Sequence, residues 1–83
     1  MMSNISKGYQ IFPFINGIKQ SKSVSESEFK ELITYVDQFM RDSSAEPDTV
    51  IYMLNSIKTN ANAAHDVYCV ALVNKALSVL EGE

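Results

Sequence analysis

The last third of the chain is more apolar than one packed face of a small protein can hide. Between Ala63 and Leu80, thirteen of eighteen residues are apolar. Wound as a helix at about 100° per residue, the stretch gathers Asn74, Lys75 and Ser78 into one narrow arc and leaves more than half of its circumference apolar. Tyr68, Leu72 and Val79 form one flank, and Val70, Val73 and Leu77 form the other. Such a helix needs cover on two sides. The rest of the 83 residues offers little with which to cover it, so a second copy of the chain is expected to do so, through Val70, Val73, Leu77 and Leu80.

The run Val67–Val73 is seven consecutive apolar residues, partly β-branched, and also fits a buried strand. Helix is preferred because Ala63, Ala64, Ala71, Ala76 and Leu77, on and around the run, are strong helix formers. No second segment of similar character lies outside the N-terminal region to pair with it as a strand.

A chain this short makes one domain, and a marginal one unless stapled or oligomeric. Cys69 is the only cysteine, so no intrachain disulfide forms, and its place in the apolar run reads as packing. Three lysines (Lys7, Lys19, Lys22) and no acid precede Glu26, giving +3; from Glu26 onward there are ten acids against four bases, giving −6. An acidic body disfavours phosphate-backbone binding as the main task and suits a basic protein surface. Nucleic-acid contact is therefore expected to be weak and carried by those three lysines. No basic-then-apolar leader opens the sequence, and the apolar run near Val67–Val73 is too short to span a bilayer. The expected compartment is the cytoplasm.

Residues 1–24 read as an aromatic arm. Pro13, between Phe12 and Phe14, disfavours a helix interior and a central strand, and Asn16-Gly17 is a strong turn dipeptide. An extended segment or a short hairpin fits, either covering the chain's own core or docking on a partner. Residues 25–83 read as a three-helix dimerisation domain. The first helix opens with a capping box, Ser25 and Glu28, inside a hydrophobic staple, Val24 and Phe29. Leu32, Ile33, Val36, Phe39 and Met40 continue its apolar stripe to about Asp42. After the connector Asp42–Glu46, Pro47 suits the first turn of a second helix, striped by Val50, Met53, Leu54 and Ile57. That stripe stops at Thr59-Asn60-Ala61-Asn62, where Asn60 or Asn62 is placed to cap the third helix. The expected fold is thus all-α: three short amphipathic helices in a helical homodimer, with an N-terminal aromatic arm.

No catalytic constellation is evident. One His and one Cys fall short of a metal set, and His65 and Cys69, four apart, lack a Gly-rich loop or anion hole nearby. No enzyme activity and no cofactor are expected. The expected partner-binding groups are the acidic side of the first helix, Glu31 and Asp37, with Phe12 or Phe14 as the aromatic anchor, since charged rims steer association and aromatics supply affinity. Asn74 either faces water or pins a helix pair.

From Glu26 to Leu80 the segments "QFMRDSS", "DTVIYMLNSIKTN" and "NKALSVLEGE" follow a helix order and element lengths that resemble the YmgB/AriR family of small enterobacterial regulators. The matching packing positions are Leu32, Ile33, Val36, Ile51, Leu54, Ile57, Leu77 and Leu80. The resemblance implies an all-helical homodimer that connects two-component signalling to biofilm formation and stress response, with a response regulator as one such partner. It also implies, as an alternative, a nucleic-acid-associated modulator of the Hha kind. An inhibitor of the immunity or phage type, blocking a basic target, is a further alternative from the acidic face alone.

Overall fold

The N-terminal region is a helix, and it supplies the cover that the C-terminal helix needs. The computed structural model describes residues 4–41 and 47–82, which form α1 (Asn4–Lys19), α2 (Glu26–Arg41), α3 (Pro47–Ala63) and α4 (Val67–Leu80). No strand occurs among the described residues. Among the described residues the fold is all-α as expected, with four helices in place of three and a helix where an arm was expected. The connector Asp42–Glu46 lies outside the described residues.

Ile11, Ile15 and Ile18 explain α1. They recur at i, i+4 and i+7, and all three are fully buried. Pro13 is inside the helix, on its exposed side. Its missing N–H leaves only the Tyr9 carbonyl four residues back without a helical donor, and Tyr9 is also exposed, so water can serve that carbonyl. Gly17 does not turn the chain. A Cβ built there would lie 2.8 Å from Cδ1 of Leu72 and 3.3 Å from the Tyr68 hydroxyl. The absent side chain leaves room for the Leu72 methyl groups between α1 and α4.

The start of α2 matches its sequence signals. The Glu28 N–H donates to Ser25 Oγ and the Ser25 N–H donates to Glu28 Oε1, each at 3.1 Å. Val24 and Phe29 both pack on the core. Lys19 sits 5.8 Å above the Phe29 ring, which ties the end of α1 to α2. Asn60 Nδ2 donates to Glu28 Oε2 at 2.6 Å, joining the start of α2 to the end of α3.

The α3–α4 boundary falls later than the sequence suggests. Asn60 and Asn62 lie inside α3, and Asp66 caps α4 instead. Ala61 is fully buried, so continuing the helix through it adds core. The polar residues that read as a stop bond elsewhere: Thr59 back to the Asn55 carbonyl, and Asn60 across to Glu28. The helix closes with paired bonds from the His65 N–H to the Asn62 carbonyl (3.1 Å) and from the Asp66 N–H to the Ala61 carbonyl (2.8 Å). That pattern is a Schellman motif, and it places His65 at the left-handed position usually given to glycine.

Each helix packs against its sequence neighbour, and α1 closes the ring on α4. Leu32, Val36 and Phe39 of α2, Val50, Leu54 and Ile57 of α3, and Cys69, Val73 and Ala76 of α4 meet the α1 isoleucines in one core. On the α4 flanks Val73 and Leu77 are buried and Leu72, Val79 and Val70 partly buried within the chain, while Tyr68 stays largely exposed. Leu72 and Tyr68 reach Gly17 of α1. Val70, on the opposite flank, borders a hollow with Ala61 and Asn62 of α3.

Candidate functional site

At one end of the bundle the α1–α2 loop meets the α3–α4 turn. The two are joined through Asp66. Its Oδ1 accepts the Cys69 N–H at 3.0 Å, capping α4, and its Oδ2 accepts the Ser21 hydroxyl from the other loop. Ser21 also bonds Ser23 at 3.0 Å and accepts the Ser23 N–H at 3.2 Å. These hydrogen bonds, Ser21 first and Cys69 second, hold the Asp66 carboxyl below its ordinary value. A carboxylate with a depressed folded-state pKa lends stability that is full above the unfolded value, about 3.9, and is lost as pH falls through the lower folded value. Wild type is therefore expected to lose part of its stability below about pH 4, and Asp66→Ala to have a lower urea midpoint at pH 7 with a flatter dependence over that acid window. Urea midpoints taken from pH 7 to pH 2.5 check this.

Beside this junction a cleft of about 490 Å³ opens between Gln20–Ser23 and Ala64–Tyr68. A smaller hollow of about 190 Å³ lies on the far side of the turn, bordered by Ala61, Asn62 and Val70. His65, Asp66 and Val67 form the ridge shared by both. Val67 is 78% exposed and Tyr68 59%. The other exposed large apolar residues among those described, Tyr9 and Tyr52, stand on α1 and α3.

His65 is the only non-glycine residue with positive φ among the described residues, at 59°. A β-carbon in this region costs about 1–2 kcal/mol, a cost that glycine avoids. His65→Gly is expected to raise the thermal midpoint by about 5 °C, the shift for about 1 kcal/mol in a domain of this size; differential scanning calorimetry reads it directly.

The residues expected to bind a partner are dispersed. Phe12 and Phe14 lie in α1, partly buried and packed against the core. Glu31 and Asp37 are exposed on α2, but they stand about 120° apart around the helix at 3.6 residues per turn. Asp37 pairs with Arg41 at 3.1 Å, and Lys30 is exposed on the same outward side. The outer face of α2 is thus mixed in charge. Of the four interface residues, Val73, Leu77 and Leu80 are buried in the chain's own core and Val70 is half-buried against it. His65 is exposed and Cys69 fully buried, so the two do not form a pair. Asn74 faces solvent.

The bundle-end surface was not anticipated. Its signal was present in "AHDVY": a cap residue, Asp66, followed by two large apolar residues on the polar arc and at its edge. Comparison of the chain with family models, with curated proteins and with solved structures finds no match. No helix among the described residues is long and apolar enough to cross a membrane.

Proposed function

We propose that this is a small non-enzymatic regulatory protein that works by binding another protein, and that the bundle end around Val67 and Tyr68 is the binding surface. The observation that carries this is the pairing of two exposed large apolar side chains on the lip of a cleft. Lone exposed apolar residues are ordinary, whereas adjacent ones at a concave site favour a partner. Tyrosine is also among the residues that most often dominate binding energy. A left-handed histidine at the same place supports the assignment. Strain retained where glycine would relieve it concentrates at functional sites.

The YmgB/AriR resemblance supports a signalling component as the target, acting on biofilm formation or stress response. With a net charge of −6 from Glu26 onward, the Hha-like nucleic-acid reading is the weaker alternative. A homodimer built on Val70, Val73, Leu77 and Leu80 would require the bundle to rearrange, because three of these side chains already serve the chain's own core.

Affinity capture from the native host tests the proposal. Wild type, Val67→Asp with Tyr68→Asp, and Tyr52→Asp on another face are compared. The expected result is a partner retained by wild type and by Tyr52→Asp, and lost with the double variant while its helical circular dichroism is unchanged. The same partner on all three proteins would move the binding surface elsewhere. Tight binding to duplex DNA at physiological salt would favour the nucleic-acid reading.

A further inference from the structure

We propose that Asn16 is a deamidation site which the fold holds closed, and that it reacts only when α1 lifts from α4. Asn16-Gly17 is the one asparagine–glycine step in the chain. Deamidation joins the Gly17 backbone nitrogen to Cγ of Asn16 in a five-membered succinimide. The N–Cγ bond forms, the Cγ–NH2 bond breaks, and ammonia leaves with the proton from the Gly17 N–H. Water then opens the ring at either carbonyl, giving aspartate or isoaspartate. Glycine hinders this attack least, because it has no Cβ and the freest backbone. Asn4, Asn55, Asn60, Asn62 and Asn74 are each followed by a residue that carries a side chain.

Asn16 is exposed, so water reaches it. The bar is the backbone. Both residues lie in α1, where a helical ψ near −42° keeps the Gly17 nitrogen from the side chain and the helical ladder engages its N–H. That bar lasts only while α1 is docked. The helix carries Gly8, Pro13 and Gly17, all poor helix residues, and so short a segment holds little helix without tertiary packing. Ile11, Ile15 and Ile18, fully buried, supply that packing. Undocking therefore frees the step to react, and the two products then part ways. Aspartate keeps the backbone path and stands at an exposed position. Isoaspartate carries the chain through its side-chain carboxyl and lengthens the backbone by one atom between Ile15 and Ile18. The added atom turns Ile18 off the face that Ile11 and Ile15 present, so this product does not dock again.

The full chain is incubated at neutral pH in a series of urea concentrations, from none to well above the unfolding midpoint. Peptide mass spectrometry follows Asn16, with Asn60, Asn62 and Asn74 as internal references, and a synthetic peptide of residues 12–20 gives the unhindered rate in each solution. Without urea, Asn16 in the folded chain should react slower than the peptide by roughly a hundredfold or more, because only the open fraction reacts. The logarithm of its rate should climb linearly with urea and meet the peptide's rate above the midpoint. The isoaspartate chain, purified and returned to buffer, should melt at least about 8 °C below wild type or show no cooperative transition. Asn16→Asp, the other product made directly, should melt within about 3 °C of wild type. Three results would overturn the proposal. One is a folded-chain rate equal to the peptide's. Another is a rate that stays flat in urea below the midpoint, which would place the reaction in the folded or frayed helix. The third is an isoaspartate chain that melts like Asn16→Asp.

Discussion

A chain lacking residues 1–22 is expected not to fold. The segment contributes Ile11, Ile15 and Ile18, each fully buried. Burying one such side chain is worth about 1.5–3 kcal/mol, so the three together supply about 4.5–9 kcal/mol, against a total of about 4–12 kcal/mol for a domain of this length. The loss does not end there, because Tyr68 and Leu72 would surrender their cover at Gly17. Far-UV circular dichroism and a thermal melt of residues 23–83 make the measurement. The expected outcome is low helicity with no cooperative transition, or aggregation. A fragment that melts cooperatively with helicity in proportion to α2, α3 and α4 would mean that α1 is a dispensable appendage.

Two aspartate substitutions on α4, six residues apart, are expected to behave oppositely. Val73 is fully buried, whereas Val67 is 78% exposed. A carboxylate at Val73 would be desolvated with no partner, and an uncompensated buried charge costs several kcal/mol even after it takes up a proton. Val73→Asp should therefore leave little folded protein at 25 °C. Val67→Asp should stay within about 0.5 kcal/mol of wild type, as surface changes usually do, while losing the partner. Urea midpoints separate the two. A folded, monomeric Val73→Asp protein arising from a dimeric wild type would instead place Val73 at a subunit boundary.

Much of the helical core was legible in the sequence where local and tertiary signals agree. The capping box at Ser25 and Glu28, the start at Pro47, and the packing of Leu32, Val36, Leu54, Ile57 and Leu77 all follow from spacing and capping chemistry. The N-terminal region was misread because Pro13 and Asn16-Gly17 are local signals against helix. The spacing of Ile11, Ile15 and Ile18 is a tertiary signal for it, and burial of three isoleucines outweighs one missing hydrogen bond on a solvent face. The expected homodimer rests on the same reading. With α1 taken for an arm, the two apolar flanks of α4 had no cover within the chain, and a second copy became the natural source. The candidate surface was illegible for a different reason. It is made where two loops far apart in sequence meet, through Ser21 and Asp66, and no spacing rule joins residues 45 positions apart. The left-handed His65 leaves no compositional trace either, since glycine is the residue that usually marks such a site.

In this fold the cover over α4 comes from the same chain, chiefly from α1 and α3. It is tested most directly by isotope-filtered NMR on an equimolar mixture of ¹³C-labelled and unlabelled protein, following the contact between the α-protons of Gly17 and the methyl groups of Leu72, whose Cδ1 lies 2.8 Å from a Cβ built at Gly17. This contact should appear in the experiment selecting pairs within one labelled chain, at strength independent of protein concentration, and be absent from the experiment selecting pairs between chains. A Gly17–Leu72 contact seen only between labelled and unlabelled chains would contradict same-chain cover, because α1 would then be covering the α4 of a second copy.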